Sequence, residues 1–151
     1  MSVLGIRCST KAIRIAILDF VDELTVMKNL NNEHRLPFPA LAVKTEDKII
    51  WLDNEIARIL KCYPCIKKIV IKLPEYLRSD TNSTRDVHYY NAVVILNGKK
   101  ASIPILLKQY NNGLQSNSRT VKTRAESIVG KTDKYWDELI ADAIVAAKSE
   151  L

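Results

Sequence analysis

The sequence is poor in cysteine and in long apolar runs, and each shortage excludes a class of protein. Its 151 residues include three cysteines, Cys8, Cys62 and Cys65, which are too few for a disulfide framework, so we expect reduced thiols. No run of about 18 apolar residues could span a membrane, and no secretory leader pattern is present. Because 47% of the residues are apolar, we expect one domain over residues 1–151 with its own core. Because neither a membrane span nor a leader pattern is seen, we expect a cytoplasmic protein without membrane contact.

Two short motifs lack the context that their chemistry requires. A phosphate-binding loop at Gly130-Lys131-Thr132 would need a glycine five residues before Gly130, and that residue is Ala125. Cys62 and Cys65 have the spacing of a redox pair, but they follow a predicted helix instead of opening one. We therefore expect an ordinary turn at 130–132 and unreactive thiols at 62 and 65.

The apolar pattern of the first half predicts three strands, a helix and a further strand. Residues 3–19 predict two strands joined by a tight turn at 8–11, and residues 23–30 predict a third. From Thr45 the apolar residues recur at three- and four-residue steps until Tyr63-Pro64, which predicts an amphipathic helix. The apolar centre of the segment 66–73 predicts a buried, parallel strand after this crossover helix.

The second half continues this alternation. We predict a loop at 75–86, a helix at 87–96 stopped by Asn97-Gly98, a strand at 100–109, a loop at 110–118 and a helix at 135–151, with 119–124 unassigned. Pro104 places the strand at a sheet edge or bulge, and Asp142 lies away from the apolar stripe of the last helix. The order predicts an α/β fold with a mixed five-stranded sheet, a three-strand antiparallel meander plus parallel strands, and helices on both faces. This outline is ribonuclease H-like.

Three stretches resemble RuvC-type Holliday junction resolvases. VLGIRCSTKAIRIAILD resembles the first hairpin of that family, and IKKIVIKLPE resembles its fourth strand. VKTRAESIVGKTDKYWDELIADAIVAA resembles its closing segment, with a basic stretch, a Gly-Lys turn and an acidic helix. The three stretches occur in the family's order and cover about half of the chain.

The resemblance implies where a metal site would be. In that family, four carboxylates from the first strand, the fourth strand and the last helix hold two divalent metals, which clamp the reacting oxygens of a phosphodiester. In this sequence the first-strand acid falls on Arg7, the fourth-strand acid on Lys72, and one helix acid on Asp142. The remaining acid falls beside Leu139, where Glu138 is the nearest carboxylate.

Arg7 and Lys72 change what these positions can hold. A cation within a few Å of Mg²⁺ repels it by several kcal/mol, so we expect neither a metal nor another cofactor. Asp142 and Glu138 lie one helical turn apart. We therefore predict that Arg7 and Lys72 pair with these two acids in a salt-bridge cluster.

The overall charge favours a polyanionic partner. The chain has 23 Lys and Arg against 17 Asp and Glu, a net charge of +6. A basic set near the last helix consists of Arg119, Lys122, Arg124, Lys131 and Lys134. Such a set could follow the phosphates of DNA or RNA, and it could equally be a solvated basic face.

These observations leave three functional hypotheses. The first is a catalytically inactive RuvC-like protein that binds nucleic acid or forms part of a complex. The second is a nuclease that uses Mg²⁺ or Mn²⁺ at a relocated acidic site made from Glu75, Asp137, Glu138 and Asp142. The third is a dimeric scaffold or assembly protein without a nucleic-acid role, paired through the apolar face of the helix at 87–96.

Overall fold

The computed structural model describes the whole chain, residues 1–151, as six strands and four helices. In chain order these are β1 (Ser2–Cys8), β2 (Ala12–Val21), β3 (Leu24–Met27), β4 (Arg35–Pro37), α1 (Thr45–Cys62), β5 (Ile66–Lys72), α2 (Asn82–Lys100), β6 (Ile105–Lys108), α3 (Val121–Val129) and α4 (Glu138–Lys148).

The strands form one mixed sheet in the order β3-β2-β1-β5-β6. β1 is antiparallel to β2 and parallel to β5, and β6 extends the parallel side. The short β4 pairs with β2 beside β3, so the sheet has six strands instead of the predicted five. The mixed α/β, ribonuclease H-like architecture is confirmed, and β6 lies at the sheet edge as Pro104 indicated.

Two apolar layers cover the two faces of the sheet. Alternate side chains of β1, namely Leu4, Ile6 and Cys8, pack with α1 and α2 in one cluster. Val3 belongs to the other cluster, with α3 and α4. A Cβ on Gly5 would overlap the carbonyl oxygen of Ala143, so this glycine is what lets α4 lie directly on β1. Arg7, two residues further along the strand, therefore also faces α4.

Three sequence predictions about helices are wrong in their bounds. α2 begins at Asn82, where the Thr81 hydroxyl accepts a hydrogen bond from the Thr84 N–H, so the predicted loop ends at 81 and not at 86. α2 also continues through Gly98, whose missing side chain makes room for Ile105. Residues 121–129 form α3, and α4 begins only at Glu138, with Asp137 as its N-cap.

Asp142 is buried, contrary to the prediction that it lies off the apolar stripe. Its exposure is 1%, because the side chain lies against Arg7 of β1 and Tyr110, and all of residues 140–147 are buried. None of the helices combines the length and apolar character needed to cross a membrane.

Candidate functional site

The residues aligned with the expected acids meet where β1 and β5 end. Ile6 pairs with Ile71 in the parallel register, so Arg7 and Lys72 follow side by side at the carboxyl ends of two adjacent strands. Both side chains face α4, which carries Asp142. Two cations and a carboxylate therefore share a buried corner between the sheet and this helix.

Arg7 pairs with Asp142, as the sequence predicted. Nε of Arg7 lies 3.2 Å from Oδ2 of Asp142, and the two side chains are 17% and 1% exposed. The Nε–H is not directed at that oxygen, so the contact is an ion pair without a hydrogen bond. The guanidinium also donates from Nη1 to the carbonyl oxygen of Lys72 at 3.3 Å, which fixes the cation between the two strands.

Asp142 has a second partner that the sequence did not reveal. The hydroxyl of Tyr110 donates to Oδ1 of Asp142 at 2.5 Å and lies 3.4 Å from Oε1 of Glu138. Burial raises the pKa of Asp142, although the hydrogen bond from Tyr110 and the charge of Arg7 act in the opposite direction. Burial and the same hydrogen bond raise the pKa of Tyr110, so the phenol stays protonated as the donor.

Lys72 pairs with Glu75 and not with Glu138. Its side chain is 1% exposed, and Nζ donates to Oε1 of Glu75 at 2.8 Å and to the carbonyl oxygen of Leu73 at 2.7 Å. The ammonium also lies 4.0 Å from the centre of the Tyr110 ring. Burial is the main reason that the pKa of Lys72 is lowered.

Glu75 is, with Tyr110, a residue of the site whose contacts the sequence analysis did not predict. Its carboxylate accepts hydrogen bonds from Lys72 and, at 3.0 Å, from the backbone N–H of Tyr110. Burial raises the pKa of Glu75, but these hydrogen bonds and the charge of Lys72 outweigh it, so the pKa is lowered. The available signal was the spacing Lys72-Leu73-Pro74-Glu75, because a proline directly after a strand turns the chain and returns an acid to the strand end.

A cavity of about 820 Å³ opens above these residues. Its charged floor consists of Arg7, Lys72, Glu75 and Glu138, with Tyr110 beside them. Loop residues supply hydroxyl and amide groups from Ser9, Thr10, Ser83, Thr84, Asn111, Asn117 and Ser118. At the mouth, Tyr76 is 92% exposed and Leu77 is 62% exposed.

The side chains present do not fit the two-metal site that the resemblance implies. No three His, Cys, Asp or Glu side chains converge into a group that could hold a metal ion. Asp142 is neutralised by Arg7, and Glu75 by Lys72. Asp137, the further acid of the relocated-site hypothesis, caps α4 and pairs with Arg14 at 2.5 Å. Each candidate ligand except Glu138 thus already has a cationic partner.

The structure does not gather the five predicted basic residues around the cavity. Lys122, Lys131 and Lys134 are exposed but line other surfaces, and only Arg119 adjoins the cavity wall, next to Ser118. Arg124 is half-buried and donates to two backbone carbonyl oxygens of the loop before α3. The cationic side chains that line the cavity are Arg7 and Lys72.

Solved structures share this fold over nearly the whole chain. Thermus thermophilus RuvC in complex with a Holliday junction substrate superposes with a TM-score of 0.76 at 10% identity, covering 99% of this chain and 91% of that chain. A second Thermus thermophilus RuvC structure gives a TM-score of 0.75 at 11% identity, with 99% of this chain and 92% of that chain covered. The yeast mitochondrial Holliday junction resolvase gives 0.61 at 14% identity, with 97% and 76% covered.

At the level of sequence, no protein-family model matches the chain, and no curated protein matches it. The similarity is thus one of three-dimensional fold. The chain has the RuvC-like, ribonuclease H-like fold.

Proposed function

We propose that this protein is a catalytically inactive RuvC-like protein that binds nucleic acid over the cavity at the ends of β1 and β5. The observation that carries the proposal is the pair between Arg7 and Asp142, with Nε and Oδ2 3.2 Å apart. The guanidinium of Arg7 already neutralises this carboxylate, and it repels divalent cations. The fold shared with a resolvase solved on a Holliday junction supports a nucleic-acid partner.

The cavity offers two kinds of contact to a nucleic acid. Arg7 is partly exposed, and the surrounding hydroxyl and amide groups are donors suited to phosphate oxygens. Tyr76 presents a fully exposed ring at the mouth, where a base could stack regardless of sequence. Such contacts would position a backbone without reading its sequence.

The binding claim is tested by fluorescence anisotropy with a four-way junction, a duplex and a single strand, without metal. We expect binding at about 50 mM salt that weakens steeply as salt increases. Tyr76→Ala should weaken binding by about 1 kcal/mol or more, because one stacking contact is lost. Tyr89→Ala is the matched control, since Tyr89 is 50% exposed on α2 and does not line the cavity. Absence of binding to all three ligands would refute the nucleic-acid part of the proposal.

The claim of inactivity is tested by incubating the same ligands with Mg²⁺ and with Mn²⁺. We expect intact substrate, because Glu138 is the only acid of the site without a cationic partner and one carboxylate cannot hold two metal ions. Cleavage that disappears in Asp142→Asn would instead support the nuclease with a relocated acidic site.

A homodimeric assembly role is a second candidate. Ile95 and Leu96 of α2 are 36% and 50% exposed, and Leu107 of the edge strand is 47% exposed. Light scattering over a range of concentrations would show a dimer, and Leu96→Asp should dissociate it if this face is the interface. A dimer combined with no nucleic-acid binding would favour this function over the first.

A further inference from the structure

A second cavity, of about 180 Å³, lies between the β4 segment and the loop before α4. Its polar lining is Asn31, Asn32, His34, Arg35, Asp133 and Lys134, and Tyr135 and Leu30 complete it. At about 30 Å³ for each water, the volume equals about six water molecules, which suits one phosphate group and not a whole nucleotide.

Three arginines connect this cavity to the first one. Across the strands Arg7 is opposite Arg14, and Arg14 is opposite Arg35, so the three lie in a row over β1, β2 and β4. Like charges directly opposite each other in a sheet repel, which makes the row unfavourable unless acceptors lie along it. Its outer end, at Arg35, is in the second cavity, and Arg7 is in the first.

The middle of the row is short of acceptors. Arg14 is 7% exposed, and although its Nη2 donates to Asp137, its Nε and Nη1 are buried without a partner. Nδ1 of His34, which is 5% exposed and lines the second cavity, also lacks a partner. Of these three unpartnered atoms, Nδ1 of His34 belongs to a residue that lines the second cavity. Because buried polar atoms normally have a hydrogen-bond partner, this atom indicates that a hydrogen-bonding group belongs in the cavity.

The charges at the second cavity favour an anion. Arg35 has no carboxylate partner, and its guanidinium carbon lies 4.8 Å from the centre of the Tyr135 ring. Lys134 also makes no ion pair. The cations Arg14, Arg35 and Lys134 outnumber the two acids nearby. These acids are Asp133 in the lining and Asp137, which Arg14 already neutralises. Burial and the charge of Arg14 lower the pKa of His34, and they outweigh Asp137, which raises it. The imidazole is therefore neutral at pH 7 and can donate a hydrogen bond from one of its nitrogens.

We propose that the second cavity binds one phosphate group through Arg35, Lys134 and His34, and that a nucleic acid bound over the first cavity places a backbone phosphate there. The second half of this inference rests on the proposed function. The backbones of Arg7 and Arg35 are two strand spacings apart, roughly 10 Å, a distance that a few successive nucleotides of one strand can span. One strand could therefore occupy both cavities.

The first experiment measures nucleic-acid affinity against salt for Arg35→Gln and Lys134→Gln. Each variant should bind threefold to tenfold more weakly at about 50 mM salt, and the slope of log affinity against log salt should fall by about 0.7 to 0.9. Lys61→Gln is the control, because Lys61 is exposed near the amino end of β5, at the opposite end of the sheet. Wild-type affinity and slope in both variants would overturn the inference and leave the proposed function standing.

The second experiment does not depend on nucleic acid. Inorganic phosphate is titrated while the imidazole signals of His34 and His88 are followed by NMR, with chloride added to equal ionic strength as the reference. Phosphate should shift His34 and not the exposed His88, and Arg35→Gln should abolish the shift. If phosphate shifts His34 in a protein that binds no nucleic acid, the phosphate site is supported and the proposed function fails. If His34 does not respond, the phosphate site is refuted.

Discussion

The ion pair between Arg7 and Asp142 is nearly enclosed, so removing either partner leaves a buried charge without a counter-charge. We expect Arg7→Met to lower the free energy of unfolding by about 3 kcal/mol at pH 7, because Asp142 then keeps only the hydrogen bond from Tyr110. Urea denaturation followed by circular dichroism measures this loss.

The control for this prediction is the double variant Arg7→Met with Asp142→Leu. A buried ion pair can often be replaced by apolar residues at little cost, so the double variant should be more stable than Arg7→Met alone. If the two losses simply add, the side chains are not energetically coupled and the ion pair does not stabilise the fold.

Lys72 should destabilise the folded state at neutral pH, and this effect should decline in alkali. Burial lowers its pKa below the usual 10.5, so the unfolded chain binds a proton that the folded chain holds less tightly. Above pH 10.5 Lys72 is neutral in both states and carries no such penalty. The penalty appears, and stability is lost, as the pH falls from 10.5 through the folded pKa. We expect Lys72→Met to resist urea better than the wild type at pH 7, with the difference shrinking toward pH 10.5.

The comparison between variant and wild type isolates Lys72 from other groups that titrate in alkali. Burial raises the pKa of the Cys8 thiol from 9.0 to about 12, so the fold loses stability as the pH rises above 9.0. This loss is equal in the variant and the wild type and cancels in their difference. Lys61→Met, at an exposed lysine, should show no such change with pH. A constant difference between Lys72→Met and wild type across this range would contradict the prediction.

At the scale of elements, α4 is held on the sheet by its fit to Gly5. A methyl group at Gly5 would overlap the carbonyl oxygen of Ala143 and lie 2.8 Å from the backbone nitrogen of Ala147. Because both atoms belong to the helix backbone, Gly5→Ala must displace α4, and we expect a loss of about 2 kcal/mol or more in unfolding free energy.

Gly98→Ala is the matched comparison within α2. Its added methyl would lie 2.7 and 2.8 Å from two side-chain carbons of Ile105 and 3.0 Å from the end of Ile69. Side-chain atoms shift more easily than a helix backbone, and alanine favours the helix by up to about 1 kcal/mol. Thermal unfolding should therefore show a much smaller loss for Gly98→Ala than for Gly5→Ala. Equal losses would mean that α4 moves on β1 more easily than this packing implies.

The same elements show what sequence patterns reveal and what they miss. β1, β2, α1 and β5 were predicted because their apolar periods are set by burial against one sheet or one helix face. β4 was missed because three residues that include Pro37 give no period at all. Gly98 was read as a helix stop, but its role depends on Ile105, a contact that no local pattern contains.

The sequence predicted which residues meet at the site, but not all the contacts that each of them makes. The resemblance brought Arg7, Lys72 and Asp142 to one corner, and the structure places them there. The burial of Asp142 depends on Arg7 and on Tyr110, which lies just after β6, so neither this burial nor the hydrogen bond from Tyr110 followed from the sequence of α4. Lys72 was expected to reach the helix, but an acid three residues away in its own chain is a closer partner.

At the scale of the whole molecule, the chain shares the fold of solved RuvC structures, and ion pairs fill the corner where β1 and β5 end. Sheet cations face acids along α4 and its flanks: Arg14 faces Asp137, Arg7 faces Asp142, and Lys68 and Lys108 both contact Glu150. These pairs neutralise charge between the helix and the sheet without a metal. The architecture therefore does not depend on a metal to neutralise this corner.

This relation predicts that a metal site can be rebuilt by two substitutions, Arg7→Asp with Lys72→Glu. The two new carboxylates would then share the corner with Glu75, Glu138 and Asp142, and the repulsion among the five should make the metal-free variant less stable than the wild type. Mn²⁺ should restore stability in the variant alone, by about 2.7 kcal/mol when its concentration is about 100 times the dissociation constant. Thermal unfolding with and without Mn²⁺ measures this gain, and adding Asp142→Asn to the variant should reduce it. A double variant that folds but gains nothing from Mn²⁺ would show that the corner differs from a metal site by more than its two cations.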